Sequence, residues 1–398
     1  MATVELPPAT GPLGGRDRNA AACAVALRDH GPATVADLAG RTGLSRPTVE
    51  AGLEAMVRRG LVSALSELTS GGRGMGRPAR VYDFRPGARH VAAVDVGAHR
   101  VRVVVCDLGG SISAWCDEPT GDTAVGPERM AAVTRVINRC LGHARVPVSD
   151  LAGMGIAVTG MVGPNGRLIV SRNLPDWEGV DVVGRLQREY GCPVGMENDI
   201  RMAALAEHRL GAARLADDVV YLFAGHRVSM GLILGGRLRR GHHSAAGEMG
   251  GIAFSTAVDS ERDQLKWSTA GSGEEVFHLA AQGDPAARDE VARFAAGLAR
   301  GVAIVAMAID PDLIVVGGGL SRAGGVLLDP LREAVNREIP VPAIPSIVAS
   351  EFGAESVALG TLVHAFGVAS VRLYGTAGVP EPAIDVPGLR SLTRGTAA

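Results

Sequence analysis

Ser45-Arg46-Pro47-Thr48 opens a stretch whose residue types suit nucleic acid. Arg46, Thr48 and Glu50 carry donors and an acceptor that match the base edges exposed in a DNA major groove. Arg41 lies just upstream. Arg73 and Arg77 sit among glycines in GGRGMGRP, with Arg80 just after. A loop of this kind can press its backbone and guanidinium groups against phosphates or into a minor groove. Thiol and metal chemistry find less support. The five cysteines, Cys23, Cys106, Cys116, Cys140 and Cys192, show no C-x-x-C spacing. That scatter argues against a disulfide framework and against a cysteine-built zinc site. His242 and His243 are adjacent on a loop, which is poor geometry for sharing a metal, so solvent exposure is expected.

The DNA-facing residues need a helix-turn-helix to position them. Helical patterning starts near Asp17, with Ala21, Ala22, Val25 and Ala26 on one small apolar face. Gly31-Pro32 ends that helix. Leu38 and Ala39 face inward on a short second helix. Gly43 supplies the sharp turn, Ser45 the N-cap, and the first turn of the third helix tolerates Pro47. Val49, Leu53, Met56 and Val57 then repeat at helical spacing, and Gly60 closes the helix. Ala39, Gly43 and Val49 together match the pattern that lets two helices cross tightly. Leu61-Val62 begins a strand, 71–76 is a tip, and 81–84 returns as a second strand, which makes a wing. Arg46, Thr48 and Glu50 are expected to point into the major groove from the helix that DNA-binding Ser45 begins, and Arg41, Arg73 and Arg77 to lie at phosphates or the minor groove. Two heads on a homodimer or homotetramer would read a pseudo-palindromic double-stranded DNA operator.

The 398 residues are enough for two or three domains, and 46% are hydrophobic, so a sizeable core is within reach. The net charge of −2 hides an asymmetry, because residues 1–90 carry 12 Arg against 8 Asp and Glu. A mildly basic segment on an acidic body suits a small nucleic-acid-binding head. Nearly all positive charge is Arg, with Lys266 the one lysine. No tandem repeat and no signal-peptide pattern is present. The apolar run 297–309 is too short to cross a bilayer and carries Arg300. A cytoplasmic chain with no membrane partner is therefore expected. The organisation that follows is a disordered arm over 1–15, a winged helix-turn-helix over 16–86, an α/β domain over 87–375 and a flexible tail over 376–398.

From His90 the texture changes to long β-branched runs. Two strands surround a glycine turn, and a third strand falls near 111–115. The pattern then predicts helix 127–142, strand 153–158, helix 180–190, strand 193–196, helix 200–210 and strand 218–223. Such alternation means α/β architecture with ligand loops at strand ends.

Five segments of this body carry a specific likeness: DVGAHR (95–100), NGRLIVSRNLPDWEG (165–179), MENDIRMAALAEHRLGAA (196–213), AGHRVSMGLILGGRLRRGHHSAAGEMGG (224–251) and DPDLIVVGGGLSRAGGVLL (310–328). In this order they resemble the ROK family, which groups repressors and sugar kinases. The resemblance spans about residues 17–370, and Gly76-Arg77-Pro78 also resembles family repressors. It implies an α/β fold: an N-terminal winged helix-turn-helix followed by an actin-like ATPase, sugar-kinase-like, two-lobed domain.

The resemblance also assigns roles. Asp199 stands where a kinase's base would accept the proton of the attacking sugar hydroxyl. Asn198, Glu248 and Asn173 stand at family sugar-side positions, so these four are the candidate effector contacts. Helix capping is the ordinary use for acids such as Asp199 and Glu248. The phosphate side departs from the pattern. His99 occupies an expected Thr position, Ala98 replaces Gly, and Arg227 and Ser229 replace glycines. A Cβ there obstructs the close backbone approach that phosphate needs, although Arg227 can also attract phosphate by charge. Gly251 stands where a zinc-binding His is expected, and the cysteine cluster beyond it is missing, so no metal site is expected.

The resemblance thus implies a DNA-binding regulator of carbohydrate-related genes, with kinase activity and catalytic residues lost and no cofactor. Its partners would be an operator and a sugar or sugar-derivative effector. Two alternatives stay open. One is an active ATP-dependent sugar kinase with a DNA-binding head, favoured by Asp199, Gly317, Gly318 and Gly319. The other is an effector-independent regulator whose body only oligomerises.

Overall fold

Each of the first three helices stops where the sequence supplies a stop. The first, α1 (Gly15–His30), ends at Gly31, and Ala20 through Leu27 are buried along it. Thr34 and Asp37 form a reciprocal capping box at the start of α2 (Val35–Thr42). Gly43, with φ +69°, ends α2 in the left-handed region that glycine alone enters cheaply. Helix α3 (Arg46–Arg58) buries Val49, Leu53 and Met56. Val57, grouped with them by spacing, is instead 41% exposed, because it lies one helical step beyond the buried stripe. The computed structural model describes residues 15–65, 79–120, 126–225, 227–249, 258–259, 264–265, 267–341 and 344–395. The arm expected over 1–15 lies almost wholly outside them, as do the wing tip 71–76, the Gly76-Arg77-Pro78 sequence and Gly251.

Strands β2 (Val62–Leu65) and β3 (Val81–Phe84) pair antiparallel, as a wing requires. A short β1 (Ala33–Thr34), unforeseen from the sequence, pairs with the other edge of β3.

The chain divides into two compact units. The first comprises 1–156, 173–196 and 362–398, and the second 157–172 and 197–361. In the first, the strands β4 (His90–Val96), β5 (Arg100–Asp107), β6 (Ile112–Pro119) and β7 (Leu151–Val158) belong to a five-stranded sheet. Two short strands follow, β8 (Met161–Val162) and β9 (Leu168–Val170), and then β10 (Val194–Asn198) completes the sheet in the order β10-β7-β4-β5-β6. β4, β5 and β6 run as an antiparallel meander. Helix α4 (Gly126–Ala144) buries Met130, Val133, Val136 and Ile137, and α5 (Val182–Tyr190) buries Leu186 and Tyr190.

The joint at Arg85-Pro86-Gly87 is a built element: Pro86–Ala88 form a short 3-10 turn, and the Pro86 carbonyl accepts Leu108 N at 3.0 Å. The flexible tail expected over 376–398 is a correction. As far as residue 395 this segment is packed on the first unit. Ser370 Oγ donates to the Thr376 carbonyl, Asp385 N donates to the Gly110 carbonyl at 2.9 Å, and Leu389 on the helix Val386–Gly395 is fully buried. Its prolines hide any hydrophobic period, yet Val379 and Leu389 still find a core to enter.

In the second unit, α6 (Asp199–Arg209) precedes a sheet of β11 (Val219–Ala224), β12 (Val228–Leu234) and β13 (Arg237–Leu238). A two-residue pair, β14 (Val258–Asp259) and β15 (Gln264–Leu265), comes next. β16 (Leu313–Gly317) and β17 (Ser346–Ala349) complete the sheet in the order β13-β12-β11-β16-β17. β11 pairs antiparallel with β12 and parallel with β16. Two helices, Pro285–Ile309 and Gly353–Tyr374, are long and apolar enough to cross a membrane by length and composition. The first of them packs Val291, Leu298, Val302 and Val305 into the core of this unit.

Glu290 on that helix is 7% exposed and holds the preceding loop. It accepts Ser268 N at 2.6 Å, Ser268 Oγ at 2.8 Å and Thr269 N at 2.8 Å. Burial pushes its carboxyl up, but the hydrogen bonds from Thr269 and Ser268 together outweigh burial and hold it down at about 2. A folded pKa below the unfolded one gives stability that is present above the unfolded value and lost as the pH falls toward 2. A shift of this size corresponds to about 3 kcal/mol at neutral pH. Glu290→Gln is expected to destabilise by about that much at pH 7, and the gap from wild type should narrow by pH 3. Urea unfolding at both pH values checks this, and an equal deficit at both would assign Glu290 to packing alone.

Candidate functional site

The head presents its predicted reading residues unevenly. Arg46 and Glu50 are exposed on the first turns of α3. Ser45 performs the capping role: its Oγ accepts Thr48 N at 3.4 Å and lies 2.8 Å from Thr48 Oγ1. Ser45 and the half-buried Thr48 therefore shape the start of α3 as well as flanking its exposed face. Arg41 is half-buried, and its Nη1 donates to the Gly31 carbonyl at 3.3 Å, tying α2 to the end of α1. Arg73 and Arg77 lie outside the described residues, whereas Arg80 is exposed at the foot of the wing. One structural residue escaped the sequence reading. Gly52 sits where α3 crosses α1, and a Cβ there would meet Ala20 Cα at 3.1 Å. A glycine in mid-helix, opposite an alanine-rich helix, was the available signal.

The head is anchored within the first unit by two arginines of its own. Arg28 donates to the carbonyls of Pro380 at 2.8 Å and Glu381 at 3.3 Å. Arg59 reaches the Leu373 carbonyl at 3.4 Å and Asp17 at 3.2 Å.

In the second unit, Asp199 begins α6 directly after β10, and its carboxylate is saturated. Oδ2 accepts Thr159 Oγ1 at 2.9 Å and Arg227 Nη2 at 3.2 Å. Oδ1 accepts Asn198 Nδ2 at 3.0 Å and the amide of Ile200 at 2.9 Å. Two carboxylate oxygens offer about four acceptor sites, so a substrate hydroxyl would have to displace one of these donors. Asn198 is likewise committed. Its Nδ2 also donates to the Gly160 carbonyl at 2.9 Å, and its Oδ1 caps α6 by accepting Arg201 N at 3.0 Å. Beneath them Glu197, buried, pairs with Arg201 at 3.0 Å and with Arg240, and Arg201 Nη2 donates to the Ser244 carbonyl at 2.6 Å. Glu248 is exposed, on a segment held to β12 by Met230 N donating to the Gly247 carbonyl at 3.2 Å. Asn173, which belongs to the first unit, is half-buried just before the Pro175–Trp177 turn.

The phosphate-side segments are occupied by the fold. In the first unit Asp95 pairs with Arg102 at 3.0 Å. The carbonyl of Ala98 accepts Arg129 Nη1 at 2.9 Å and Thr120 Oγ1 at 3.3 Å, and the carbonyl of His99 accepts Thr120 N. In the second unit Arg227 lies in the tight turn between β11 and β12, where Gly225 N donates to its carbonyl at 3.1 Å. Ser229 is buried on β12 opposite Phe223. Packing alone accounts for two of the glycines that favoured a kinase. A Cβ on Gly317 would fall 1.9 Å from Tyr221 Oη, and one on Gly318 would fall 2.4 Å from the Ala224 carbonyl. Among the described residues no group of three His, Cys, Asp or Glu side chains is arranged to hold a metal ion. His242 and His243 are exposed and meet edge to face at 4.7 Å.

A helix-turn-helix with a wing, followed by an α/β body of sugar-kinase-like fold, defines the class of protein. The chain belongs to the ROK family, whose model matches residues 91–260 and 251–365, and residues 26–66 match the IclR helix-turn-helix domain. A bifunctional enzyme NanE/NanK of Brucella melitensis is 36% identical over 188 residues, covering 44% of this chain and 36% of that protein. The chain thus spans about a third of that relative's length. The xylose repressor of Bacillus subtilis is 28% identical over 225 residues, covering 55% of this chain and 56% of the repressor. A solved ROK family transcriptional regulator, described as a homologue of the E. coli MLC protein, matches in fold with a TM-score of 0.72 at 21% identity, covering 90% of this chain and 96% of that one.

Proposed function

We propose that this chain is a cytoplasmic ROK-type transcription regulator, a repressor of carbohydrate-related genes that has lost kinase activity. The head binds an operator through α3, with Arg46 and Thr48 at the bases and Arg41, Arg73 and Arg77 at phosphates or the minor groove. The body dimerises or forms a tetramer and senses a sugar or sugar derivative through Asp199 and Glu248, with Asn198 orienting Asp199. The observation that carries this reading is the Arg227–Asp199 pair at 3.2 Å. A guanidinium from the turn where family kinases have glycine holds the carboxylate that a kinase needs open. Phosphoryl transfer depends on positioning and charge stabilisation around the transferred group, so losing the open base and the glycine cradle together removes it. Sensing needs only a ligand that binds one conformation better than another. The xylose repressor, similar over part of the body, supports a sugar-related role.

The enzyme reading draws on the 36% identity to the NanE/NanK enzyme. One assay separates the two. The full chain is incubated with ATP, Mg²⁺ and glucose, N-acetylglucosamine, mannose or xylose, and sugar-dependent ADP formation is followed. None is expected, while the same preparation should retain a DNA duplex selected by it from random sequence. Turnover with any of the four sugars would establish the kinase reading.

A further inference from the structure

All five cysteines are buried and none is in a disulfide, but they are not alike. Burial pushes the thiols of Cys23 and Cys192 up to about 11, and that of Cys106 upward as well. Cys116 goes the other way. The neighbouring Cys140 lowers it, burial raises it and His143 lowers it again, for a net shift downward. Cys140, whose Sγ donates to the Val103 carbonyl, is shifted up.

The geometry behind this contrast is a three-residue cluster on the seam between β6 and α4. Cys116 lies on β6, where its cross-strand partner is Val103 of β5. Cys140, on α4, points its Sγ at the carbonyl of the same Val103, at 3.4 Å. Both cysteines thus converge on one backbone position. His143 lies three residues beyond Cys140, on the same face of the helix, with its Nδ1 3.6 Å from Cys116 Sγ. The seam is fixed by Glu118 of β6 and Arg139 of α4, an ion pair at 2.8 Å. Access is graded: His143 is exposed, Cys116 is 5% exposed and Cys140 is 0% exposed. A thiolate beneath a surface imidazole, with a second thiol behind it, is the arrangement of an attacking and a resolving cysteine. Neither the 24-residue separation of the two cysteines nor their lack of a C-x-x-C motif pointed to it.

We propose that Cys116 and Cys140 form a reversible hydroperoxide-sensitive pair, in which Cys116 is oxidised and Cys140 resolves it to a disulfide. The Cys116 thiolate attacks the outer oxygen of a hydroperoxide. An S–O bond forms and the O–O bond breaks. The departing alkoxide or hydroxide takes a proton from His143 and leaves as alcohol or water. The Cys140 sulfur then attacks the sulfenic acid. The S–S bond forms, the S–O bond breaks, and water leaves with the Cys140 proton. Two thiols are oxidised by two electrons and one hydroperoxide is reduced. A dithiol reductant reverses the bond by exchange. Cys116 is paired with Val103 across the strands and Cys140 Sγ reaches the carbonyl of that same residue, so the two sulfurs need only close within this seam to an S–S distance of about 2.05 Å.

The test treats the full chain at pH 7 with stoichiometric hydrogen peroxide and maps its peptides without reduction. The expected product is one linked pair, Cys116 to Cys140, abolished by dithiothreitol, with Cys23, Cys106 and Cys192 still thiols. Cys140→Ser is expected to stop at the sulfenic acid, trapped by dimedone on Cys116, and His143→Gln to slow oxidation several-fold. If the variants fail to fold, the wild-type map decides alone. Parallel oxidation of all five cysteines, or conversion of Cys116 to sulfinic acid with no linked peptide, would overturn the proposal.

Discussion

A chain lacking residues 1–85 is expected to lose operator binding altogether, and Arg46→Ala in the full chain to weaken it by about 5- to 150-fold. The second figure follows from the roughly 1–3 kcal/mol carried by a good base contact. Arg46 is singled out because it is exposed at the start of α3, where helix-turn-helix proteins place their reading residues. Its removal costs the head little, since the cap is made by Ser45 and the core by Val49, Leu53 and Met56. Thr48→Ala and Arg41→Ala serve as contrasts. Thr48 Oγ1 bonds Ser45, and Arg41 holds the end of α1, so both changes lower the stability of the head as well as its affinity. Arg77→Ala should weaken all sequences alike and reduce the steepness of the salt dependence. Binding is measured by anisotropy of a labelled duplex selected from random sequence, beside a thermal unfolding curve for each variant. The truncated chain uncovers the sites of Arg28 and Arg59 at Pro380, Glu381 and Leu373, so its fold must be checked in the same way. Undiminished binding by a folded chain without residues 1–85 would remove DNA recognition from the head.

Local signals were legible where they were covalently close. Gly43, Ser45 and Pro47 marked the helix-turn-helix because caps and turns are decided by the residues that form them. The alternating strands and helices of the body fell within about two residues of their structural bounds, as with 126–144 and 182–190, because periodicity over ten residues is a strong signal. The ordered tail was missed for the opposite reason. The Gly110 carbonyl, its anchor, is 275 residues away from Asp385 N, and nothing in a Pro-rich stretch announces a distant partner. The site was half legible. Asp199 and Arg227 were both singled out, one as a retained acid and the other as an obstruction. That the obstruction pairs with the acid depends on a β11–β12 turn folding back over the start of α6, which no spacing encodes. Cys116 and Cys140 illustrate the same limit, since their meeting is made by a strand and a helix rather than by a motif.

The pairing of Asp199 with Arg227 leads to the prediction with the sharpest signs. Every acceptor position on Asp199 is taken, so an incoming sugar hydroxyl must displace a donor. Arg227 is the donor whose loss costs the fold least, because Asn198, Ile200 N and Thr159 belong to the elements that build the site. Arg227 Nε is buried and makes no hydrogen bond among the described residues, so Nη2 on Asp199 is the guanidinium's bond that a ligand hydroxyl would replace. On the proposed sensing role, displacing it would free the β11–β12 turn and so couple effector binding to a change of conformation. Arg227→Ala is therefore expected to raise effector affinity several-fold, since no competitor remains. Asp199→Asn and Glu248→Gln are expected to abolish or blunt the effector response while leaving effector-free operator affinity nearly unchanged. By linkage, operator DNA should shift effector affinity by the same factor that effector shifts operator affinity. The ligand for the titration is the one that raises the unfolding temperature most in a screen of sugars, sugar phosphates and nucleotides. Asp199→Asn leaves Arg227 facing a neutral partner and also costs stability, so the decisive curves are those of wild type, Glu248→Gln and Arg227→Ala. Opposite displacements of the two variants from wild type support competition at Asp199. Three superimposed curves would remove this site from sensing and leave the body as an oligomerisation domain.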